Sequence, residues 1–391
     1  MKIKIAVFFG GRSVEHEVSV ISALQAIDAL DKQKYEILPV YISKTGRWLT
    51  GDHLLKVDNY KNLKQLIADC DEVRIVPHAD GGSLVQEREG LFKKPLIHKV
   101  DLAFPILHGT FGEDGAIQGV FELMGIAYVG CNVLSSAVGM DKITTKMVLR
   151  QNELPVLDYV NFYLKDWLSD EVAITQEIAE KLSYPLIVKP ANTGSSVGIS
   201  KVNEVDDLRD AVEKAASFSR RILVEPMVTN LKEINCSVLG DYEKAEASPC
   251  EEPLRTGEIL SYQDKYVADS TKGMSGAKRK LPADLPEAMS KHIQELAIAT
   301  FKALDCAGVA RIDFLIDETD NSVYVNEINA IPGSLSFYLW KAGGKSYPQL
   351  LDQMISVALK AQREKNSVTY TYEEVNLFAG SLQSLKLGKA K

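Results

Sequence analysis

The sequence predicts an α/β fold for the N-terminal part of the chain and α+β folds for the remainder. Residues 3–9 form a run that is apolar except for Lys4 and ends in two glycines, which is typical of a buried parallel strand followed by a tight turn. Residues 19–30 have apolar side chains at helical spacing and residues 35–42 predict the next strand, so the chain opens with a βαβ unit. Near the other end, residues 309–316 and 323–328 alternate in polarity like two antiparallel strands.

Composition and charge argue against several classes of protein. The 391 residues carry a net charge of −8, whereas a nucleic-acid-binding surface needs a clustered excess of lysine and arginine. No uninterrupted apolar run reaches about 18 residues, so we expect no membrane span. The N-terminus lacks a signal-peptide pattern, and the five cysteines lack CxxC spacing. We therefore expect a cytoplasmic protein with reduced thiols, without a zinc site, a disulfide framework, or a nucleic-acid or membrane partner.

The loop after the first strand has the sequence RSVEHE. The third glycine of the dinucleotide-binding pattern GxGxxG is missing, and acidic residues stand where a pyrophosphate would have to lie. We therefore predict that this loop binds a cationic group through Glu15. The alternative is that Glu15 or Glu17 stabilises the N-terminus of the following helix through its dipole.

A second loop, LHGTFGEDG, follows the buried strand predicted for residues 100–106. Ligands of open α/β sheets bind at the carboxyl ends of the strands, which predicts that His108 and Glu113 belong to a site. The alternative for His108 is a satisfied structural histidine. Residues 115–124 then predict a helix and residues 127–130 a short strand that ends the first domain.

A third loop, PANTGSSVGIS, follows the strand predicted for residues 186–189. Two glycines around two serines offer free backbone N–H groups and hydroxyls, which suit phosphate oxygens, and Lys189 adds a positive charge. The pattern is not a Walker motif, because the lysine precedes the glycines. A flexible linker is the alternative, but the position directly after a buried strand favours phosphate binding.

Charged residues also mark the elements between these loops. Lys142 stands near the start of the helix predicted for residues 141–151, and Glu225 ends the strand predicted for residues 221–225. Glu233 directly precedes the strand predicted for residues 234–239. The other predicted helices cover residues 206–216, 286–304 and 347–363.

Residues 256–285 have little periodicity and are rich in Lys, Asp, Ser and Gly. An irregular segment of this length inside a compact domain is typical of a functional lid. Its residues Tyr262, Lys265 and Tyr266 would suit an anionic substrate.

Polar side chains converge on the two strands near the C-terminus. Arg311 and Asp313 are two residues apart and share one face of their strand, as Glu327 and Asn329 do on the next. Two facing carboxylates repel each other, and a hard divalent cation with oxygen ligands removes that repulsion. The alternative is a surface hairpin with salt bridges.

The chain as a whole resembles the D-alanine:D-alanine ligases of the ATP-grasp superfamily. The resemblance runs from residue 4 to about residue 351 and rests on the motifs GGRSVEHEVS, LHGTFGEDG, GMDKITTK, VKPANTGSSVGISK, ARIDFLID and VNEINAIPG, in that order. It implies an ATP-grasp fold with an N-terminal Rossmann-like (pre-ATP-grasp) α/β domain. The implied parts are an N-terminal substrate-binding domain (1–130), a small ATP-grasp subdomain with the phosphate loop (131–222), a large ATP-grasp subdomain with the lid and a magnesium site (223–365), and a C-terminal appendage (366–391).

The resemblance also implies an activity. It is the ATP-dependent ligation of two D-alanines through a D-alanyl phosphate, which gives D-alanyl-D-alanine for peptidoglycan synthesis. The implied metal is Mg²⁺, as two ions, with Mn²⁺ as a substitute, and homodimers are common in the family. The first alternative is an ATP-grasp ligase with another acceptor, such as D-serine, another amino acid or D-lactate. The second is a nucleotide-binding regulatory protein without catalysis, and a dinucleotide-dependent dehydrogenase is more distant.

The resemblance also implies roles for individual residues at the first substrate, in catalysis, at the nucleotide and at the metal. For the first substrate, Glu15 resembles the carboxylate that holds the ammonium group, with His108 and Glu113 in the same subsite. For catalysis, Arg311 and the backbone N–H of Gly333 match the oxyanion donors. Ser195 and Tyr266 match residues that form a hydrogen-bonded triad with Glu15. At the nucleotide, Lys142 and Lys189 match the lysines that reach the phosphates, and the phosphate loop over them is Gly194, Ser195, Ser196 and Val197. The adenine would meet Glu225, Met227 and Val228, the ribose would meet Glu233, and the metal ligands would be Asp313, Glu327 and Asn329.

The segment after Gly333, SLSFYLW, departs from the family pattern, in which a longer stretch holds the carboxylate of the second substrate. The resemblance therefore leaves open whether Ser334, Ser336 or Tyr338 does this work. Lys265 and Tyr266 in the lid favour a D-amino acid over D-lactate as the acceptor.

Overall fold

The computed structural model describes residues 2–77, 82–87, 94–194, 196–254 and 279–370. Its first sheet comprises β1 (Ile3–Gly10), β2 (Tyr35–Ile42), β3 (Trp48–Thr50), β4 (Asp71–Val76), β5 (Ser83–Gln86), β6 (Leu96–Lys99), β7 (Leu102–Ile106) and β8 (Ala127–Tyr128). The strand order is β6-β5-β4-β3-β2-β1-β7-β8. Strands β2, β1, β7 and β8 are parallel, whereas β3 to β6 extend the sheet in antiparallel fashion. The central strand β1 is buried from Ile5 onward, which explains its continuous apolar run.

Three helices accompany this sheet: α1 (His16–Ala29), α2 (Leu63–Ala68) and α3 (Ala116–Met124). The loops after β1 and β7 lie at the carboxyl ends of adjacent parallel strands. They therefore meet at one edge of the sheet, which is where open α/β sheets bind their ligands.

The second sheet is antiparallel and contains β9 (Val160–Tyr163), β10 (Leu186–Pro190), β11 (Ser200–Val202) and β12 (Arg221–Pro226), in the order β11-β10-β12-β9. It has a hydrophobic core of its own, in which Leu186, Val188 and Val224 pack against Trp167 and Leu208. The helices of this region are α4 (Val133–Met140), α5 (Lys142–Gln151), α6 (Leu164–Ser169), α7 (Glu171–Lys181) and α8 (Leu208–Ala216).

The third sheet is also antiparallel, in the order β14-β13-β17-β18, and is formed by β13 (Leu231–Gly240), β14 (Ala245–Ala247), β17 (Gly308–Asp317) and β18 (Ser322–Asn329). A short ribbon pairs β15 (Glu252–Pro253) with β16 (Arg279–Lys280). The helices here are α9 (Glu287–Ala303), α10 (Phe337–Ala342) and α11 (Tyr347–Asn366).

The first and third sheets share one hydrophobic core. It joins Ile5 and Phe104 of the first sheet to Trp340 of α10 and to Leu350 and Met354 of α11. The last long helix therefore packs beneath the N-terminal sheet, while the second sheet keeps a separate core.

The predicted α/β and α+β classes are confirmed, and so are the βαβ opening and the C-terminal pair of strands. The sequence did not indicate α4, β9, α6, α7 or the antiparallel strands β4 to β6. These strands lie in a half-exposed extension of mixed polarity, and α4 has the small, unstriped sequence VLSSAVGM. The predicted domain boundaries stay predictions, and residues 256–278 of the lid predicted for 256–285 lie outside the described part. No helix in the described ranges is long and apolar enough to cross a membrane.

Candidate active site

Loops from the three sheets meet around one cavity. Each of the motifs singled out in the sequence contributes to its wall. The lining residues are Glu15, His108, Gly109 and Glu113 from the first sheet; Gly139, Met140, Lys142, Thr193 and Gly194 from the second region; and Arg311, Glu327, Ile328, Asn329, Ala330, Ile331 and Gly333 from the third.

The loop after β1 turns sharply and delivers Glu15 to the cavity. Gly10 has a φ of +91°, and a Cβ there would collide with the carbonyl oxygen of Ile42, so the turn requires glycine. Glu15 stands at the N-terminus of α1, but its side chain makes no capping hydrogen bond and is buried. A Cβ added to Gly194 would lie 3.3 Å from its Oε2, which shows how closely the third loop approaches this carboxylate. Glu15 therefore does not cap α1 through its side chain, and its role in binding a cationic group stays a prediction.

His108 connects this wall to the third sheet. Its Nδ1 lies 2.7 Å from the carbonyl oxygen of Ile331, and its Nε2 lies 2.9 Å from Oγ of Ser22 on α1. Because a carbonyl oxygen only accepts, Nδ1 carries the proton and Nε2 accepts from the Ser22 hydroxyl. The same Ser22 oxygen accepts from the backbone N–H of Ser334 at 2.9 Å. Burial lowers the pKa of His108, which agrees with this neutral tautomer.

Glu113 makes a parallel connection. Its two carboxyl oxygens accept from the backbone N–H groups of Gly109 and Ile331, each at 2.8 Å. Burial, followed by the charge of Glu15, raises its pKa to about 8. His108 thus donates to the C=O of Ile331, and Glu113 accepts from the N–H of the same residue. Together these two hydrogen bonds hold the loop after β18 against the first sheet.

Lys142 joins the phosphate loop to the third sheet. Its helix is capped by Asp141, whose side chain accepts from the N–H of Thr144 at 2.8 Å. The Nζ atom of Lys142 donates to the carbonyl oxygen of Thr193 at 2.7 Å and lies 3.1 Å from Oε2 of Glu327.

Behind the phosphate loop, Glu225 lies between two lysines. Lys189 on β10 pairs with its Oε1, and Nζ of Lys146 on α5 lies 3.1 Å from its Oε2. All three side chains are buried. Burial would raise the pKa of Glu225, but the two ammonium groups outweigh it and hold that pKa below its usual range.

The other predicted nucleotide ligands belong to the phosphate loop, the segment after β12 and strand β13. Val197 donates its N–H to the carbonyl oxygen of Gly194 at 3.2 Å, and Ser196 has a φ of +59°. Met227 donates its N–H to Pro185 at 2.9 Å, and the next residue, Val228, is buried. Glu233 lies on β13, opposite Leu315. Three predicted site residues, Ser195, Lys265 and Tyr266, lie outside the described residues, as does Tyr262.

The candidate metal ligands are neighbours across β17 and β18. Asp313 pairs in register with Glu327, and Arg311 with Asn329. The carboxylate of Asp313 accepts two hydrogen bonds from Arg311, at 2.6 and 2.7 Å, and one from Asn329 at 3.1 Å. Burial opposes the charge on Arg311, but the Asp313 carboxylate raises its pKa well above the ordinary value.

This donor set fits magnesium. The candidate ligands are two carboxylates and one amide, all of which offer oxygen donors. The described residues contain no group of three His, Cys, Asp or Glu side chains that could hold a metal. Mg²⁺ commonly binds through one or two carboxylates together with substrate phosphates. Each of these carboxylates already attracts a cation, Arg311 or Lys142.

The segment after Gly333 is an unusual buried turn. Ser334, Leu335 and Ser336 have φ values of +51°, +51° and +50°. The hydroxyls of Ser334 and Ser336 are buried and have no hydrogen-bond partner among the described residues. The hydroxyl of Tyr338, the third residue considered for the carboxylate of the second substrate, instead donates to Glu251 at 3.0 Å.

Sequence reasoning missed several residues at this site. Ser22 gives no signal, because it is one of two serines in a largely apolar helix. Glu251 is buried and binds Tyr338, Asn235 and Arg279, which are far apart in the sequence. Lys146 does have a signal: it stands four residues after Lys142 and therefore on the same helix face.

Comparisons with known proteins agree along almost the whole chain. The family model described as D-ala D-ala ligase N-terminus matches residues 4–131, and the one described as D-ala D-ala ligase C-terminus matches residues 148–356. The D-alanine–D-alanine ligase of Thermosipho africanus is 39% identical over 376 residues, which cover 96% of this chain and 98% of that protein.

Two solved structures are also similar, each 33% identical with a TM-score of 0.77. The D-alanine-D-alanine ligase from Coxiella burnetii matches over 93% of this chain and 96% of its own. The VanG D-Ala:D-Ser ligase from Enterococcus faecalis matches over 92% and 100%. These likenesses confirm the predicted ATP-grasp fold. With two family models covering both halves and this identity to known relatives, the chain belongs to the ATP-dependent D-alanine–D-alanine ligase family.

Proposed function

We propose that this chain joins two D-alanines at the expense of ATP and supplies D-alanyl-D-alanine for peptidoglycan synthesis. The observation that carries the proposal is the single cavity where Glu15, the phosphate loop and the Arg311 to Asn329 cluster meet. Membership of the ligase family supports it.

The first D-alanine would bind through its ammonium group to Glu15. This carboxylate is buried, and Gly109 and Gly194 approach it closely without a side chain that would crowd it. A buried carboxylate attracts an ammonium group strongly because the local dielectric is low, so the pair would hold and orient the substrate. His108 and Glu113 would act by holding the wall around this subsite, through Ile331.

ATP would bind between the second and third sheets. Lys142, Lys189 and the loop of residues 193–197 supply positive charge and N–H donors for its phosphates, and Glu225, Met227 and Val228 would border the adenine. Asp313, Glu327 and Asn329 would hold magnesium, which when bound neutralises charge on the phosphoryl group being transferred.

The reaction needs two steps, because a carboxylate is a poor electrophile. The carboxylate of the first D-alanine takes the γ-phosphoryl group of ATP, giving ADP and D-alanyl phosphate. The amine of the second D-alanine then attacks the acyl carbon, loses a proton and displaces phosphate. Arg311 and the N–H of Gly333 would stabilise the negative oxygen that develops during this attack.

The second D-alanine would use the buried turn after Gly333. The hydroxyls of Ser334 and Ser336, without partners among the described residues, are donors suited to a carboxylate. Since a D-Ala:D-Ser ligase is among the similar structures, the acceptor must be tested directly. The homodimer, the number of metal ions and the cytoplasmic location stay predictions.

The test is ADP release by the purified protein with ATP and Mg²⁺, with products identified by mass. We expect turnover with D-alanine alone, no turnover with L-alanine, and a product of two D-alanyl units. In mixtures of D-alanine with D-serine or D-lactate the two acceptors compete, and the ratio of the products shows which one the protein prefers. If turnover required a different second substrate, D-alanine would be the wrong acceptor. If no ADP formed with any amino acid, the ligase proposal would be refuted.

A further inference from the structure

The pair of lysines around Glu225 is an excess of buried positive charge. The side chains of Lys146, Lys189 and Glu225 are 1%, 6% and 2% exposed. Two ammonium groups share one carboxylate, each with its own oxygen. A single lysine would be enough to neutralise Glu225, so the second needs another explanation.

The two lysines differ in what they can reach. Lys189 precedes the phosphate loop and has a second neighbour, Oδ1 of Asn326 at 3.4 Å, beside the candidate metal ligand Glu327. Lys146 lies deeper, with its Nζ 5.8 Å from the centroid of the Tyr159 ring. Among the described residues, Glu225 is the one carboxylate that pairs with Lys146.

The proposed function requires Lys189 to serve the nucleotide phosphates. To do so it must weaken or leave its pair with Glu225. If Glu225 had no other cation, this exchange would strand a buried carboxylate, which is strongly unfavourable. Lys146 would prevent this, because its ammonium group already contacts the other carboxyl oxygen.

We infer that Lys146 is a positioning residue for ATP binding: it keeps Glu225 neutralised so that Lys189 can turn to the phosphates. This inference rests on the proposed function. It assigns no contact between Lys146 and the nucleotide, and it predicts that the effect of Lys146 depends on the charge of Glu225.

The first test is Lys146→Met, which keeps the length of the side chain and removes its charge. We expect the Kd of a non-hydrolysable ATP analogue with Mg²⁺, measured by calorimetry without D-alanine, to rise about tenfold or more, because Lys189 becomes the sole partner of Glu225. The KM for D-alanine should change by less than about twofold, since Lys146 does not border that subsite.

Arg150→Met is the matched control. Arg150 lies one turn further along α5, with its guanidinium carbon 4.9 Å from the Tyr159 ring centroid, but it is half-exposed and pairs with Asp158. We expect its nucleotide affinity to equal that of the wild type. Equal losses for Arg150→Met and Lys146→Met, or an unchanged Kd for a folded Lys146→Met protein, would overturn the inference.

A double variant keeps the inference testable if Lys146→Met does not fold. In Lys146→Met/Glu225→Gln no buried carboxylate remains to retain Lys189. We expect its nucleotide Kd to lie within about threefold of that of Glu225→Gln alone. A further loss of tenfold in the double variant would show that Lys146 acts independently of Glu225 and would refute the proposal. A wild-type protein that binds no ATP analogue would refute the proposed function itself, which separates the two failures.

Discussion

The nucleotide side and the acceptor side of the cavity treat their polar groups in opposite ways. On the nucleotide side, charged groups are paired with opposite charges inside the protein: Lys142 with Glu327, Lys189 with Glu225, and Arg311 with Asp313. On the acceptor side, the hydroxyls of Ser334 and Ser336 are buried without a partner among the described residues.

This difference indicates two ways of preparing a site. A ligand on the nucleotide side must exchange partners with existing ion pairs, so removal of one charge leaves another buried and unpaired. A ligand on the acceptor side meets the neutral hydroxyls of Ser334 and Ser336. Folding has already removed these hydroxyls from water, so binding the ligand does not add that desolvation cost again. Substitutions should therefore affect stability and activity together on the first side and separate them on the second.

The largest effect should follow from Arg311→Met. We expect kcat to fall by about 10² to 10³, because an oxyanion donor is lost, and the protein to become less stable because Asp313 loses its two hydrogen bonds from the guanidinium. Steady-state ADP release and urea unfolding measure the two effects. Arg74→Met, which removes an exposed arginine, is the control. A fall in kcat without any loss of stability would contradict the pairing argument.

Ser22→Ala tests the connection between the acceptor side and the His108 wall of the first-substrate subsite. Its oxygen binds both His108 and the N–H of Ser334, so its loss leaves two buried groups unpaired. We expect destabilisation of about 2 kcal/mol in urea unfolding. The exposed Ser169→Ala should change stability by less than about 0.5 kcal/mol. Equal stabilities of the two variants would show that the Ser22 bonds contribute nothing.

The Ser334→Ala and Ser336→Ala variants sharpen the contrast. We expect the KM for the second D-alanine to rise about tenfold in at least one variant, because a charge-assisted hydrogen bond is lost. Unfolding free energy should stay the same or rise by up to about 1 kcal/mol, since an unpaired buried hydroxyl is removed. Loss of stability in both would mean that these hydroxyls have protein partners.

Glu113→Gln tests the comparison through the pH dependence of stability. The fold raises the pKa of Glu113 from its ordinary 4.5 to about 8, so between these values the folded state binds more protons than the unfolded chain. Its contribution to wild-type stability is therefore complete below pH 4.5 and is lost as pH rises towards 8, by at most about 1.4 kcal/mol per pH unit. Urea unfolding across this window should show a flatter profile for Glu113→Gln. Identical profiles would exclude Glu113 as the titrating group.

The sequence predicted the charged residues of the site better than their partners. Asp313 and Glu327 were predictable because strand alternation alone puts each on the same face as its polar neighbour. Glu225 was predicted beside the adenine, but its two lysines come from a helix and another strand, and such distant pairing has no local pattern. That adenine contact stays a prediction.

The turn after Gly333 was not predictable for a different reason. Serine and leucine rarely adopt positive φ, so three such residues in succession have no sequence signature. Tertiary contacts maintain the turn: Leu335 is buried in the core, and the N–H of Ser334 binds Ser22. The resemblance to the ligase family identified the position, but the shortened sequence gave no geometry.

Helix α11 completes the core beneath the first sheet, which affects the order of events during synthesis. The apolar side chains of β1 pack against Leu350 and Met354, which are synthesised more than three hundred residues later, so they stay uncovered until then. At about 5 to 20 residues per second, the ribosome leaves that underside uncovered for roughly a quarter of a minute to a minute. We therefore expect nascent chains that stop before Tyr347 to depend on chaperones or to aggregate, even though every strand of the first sheet has already been made.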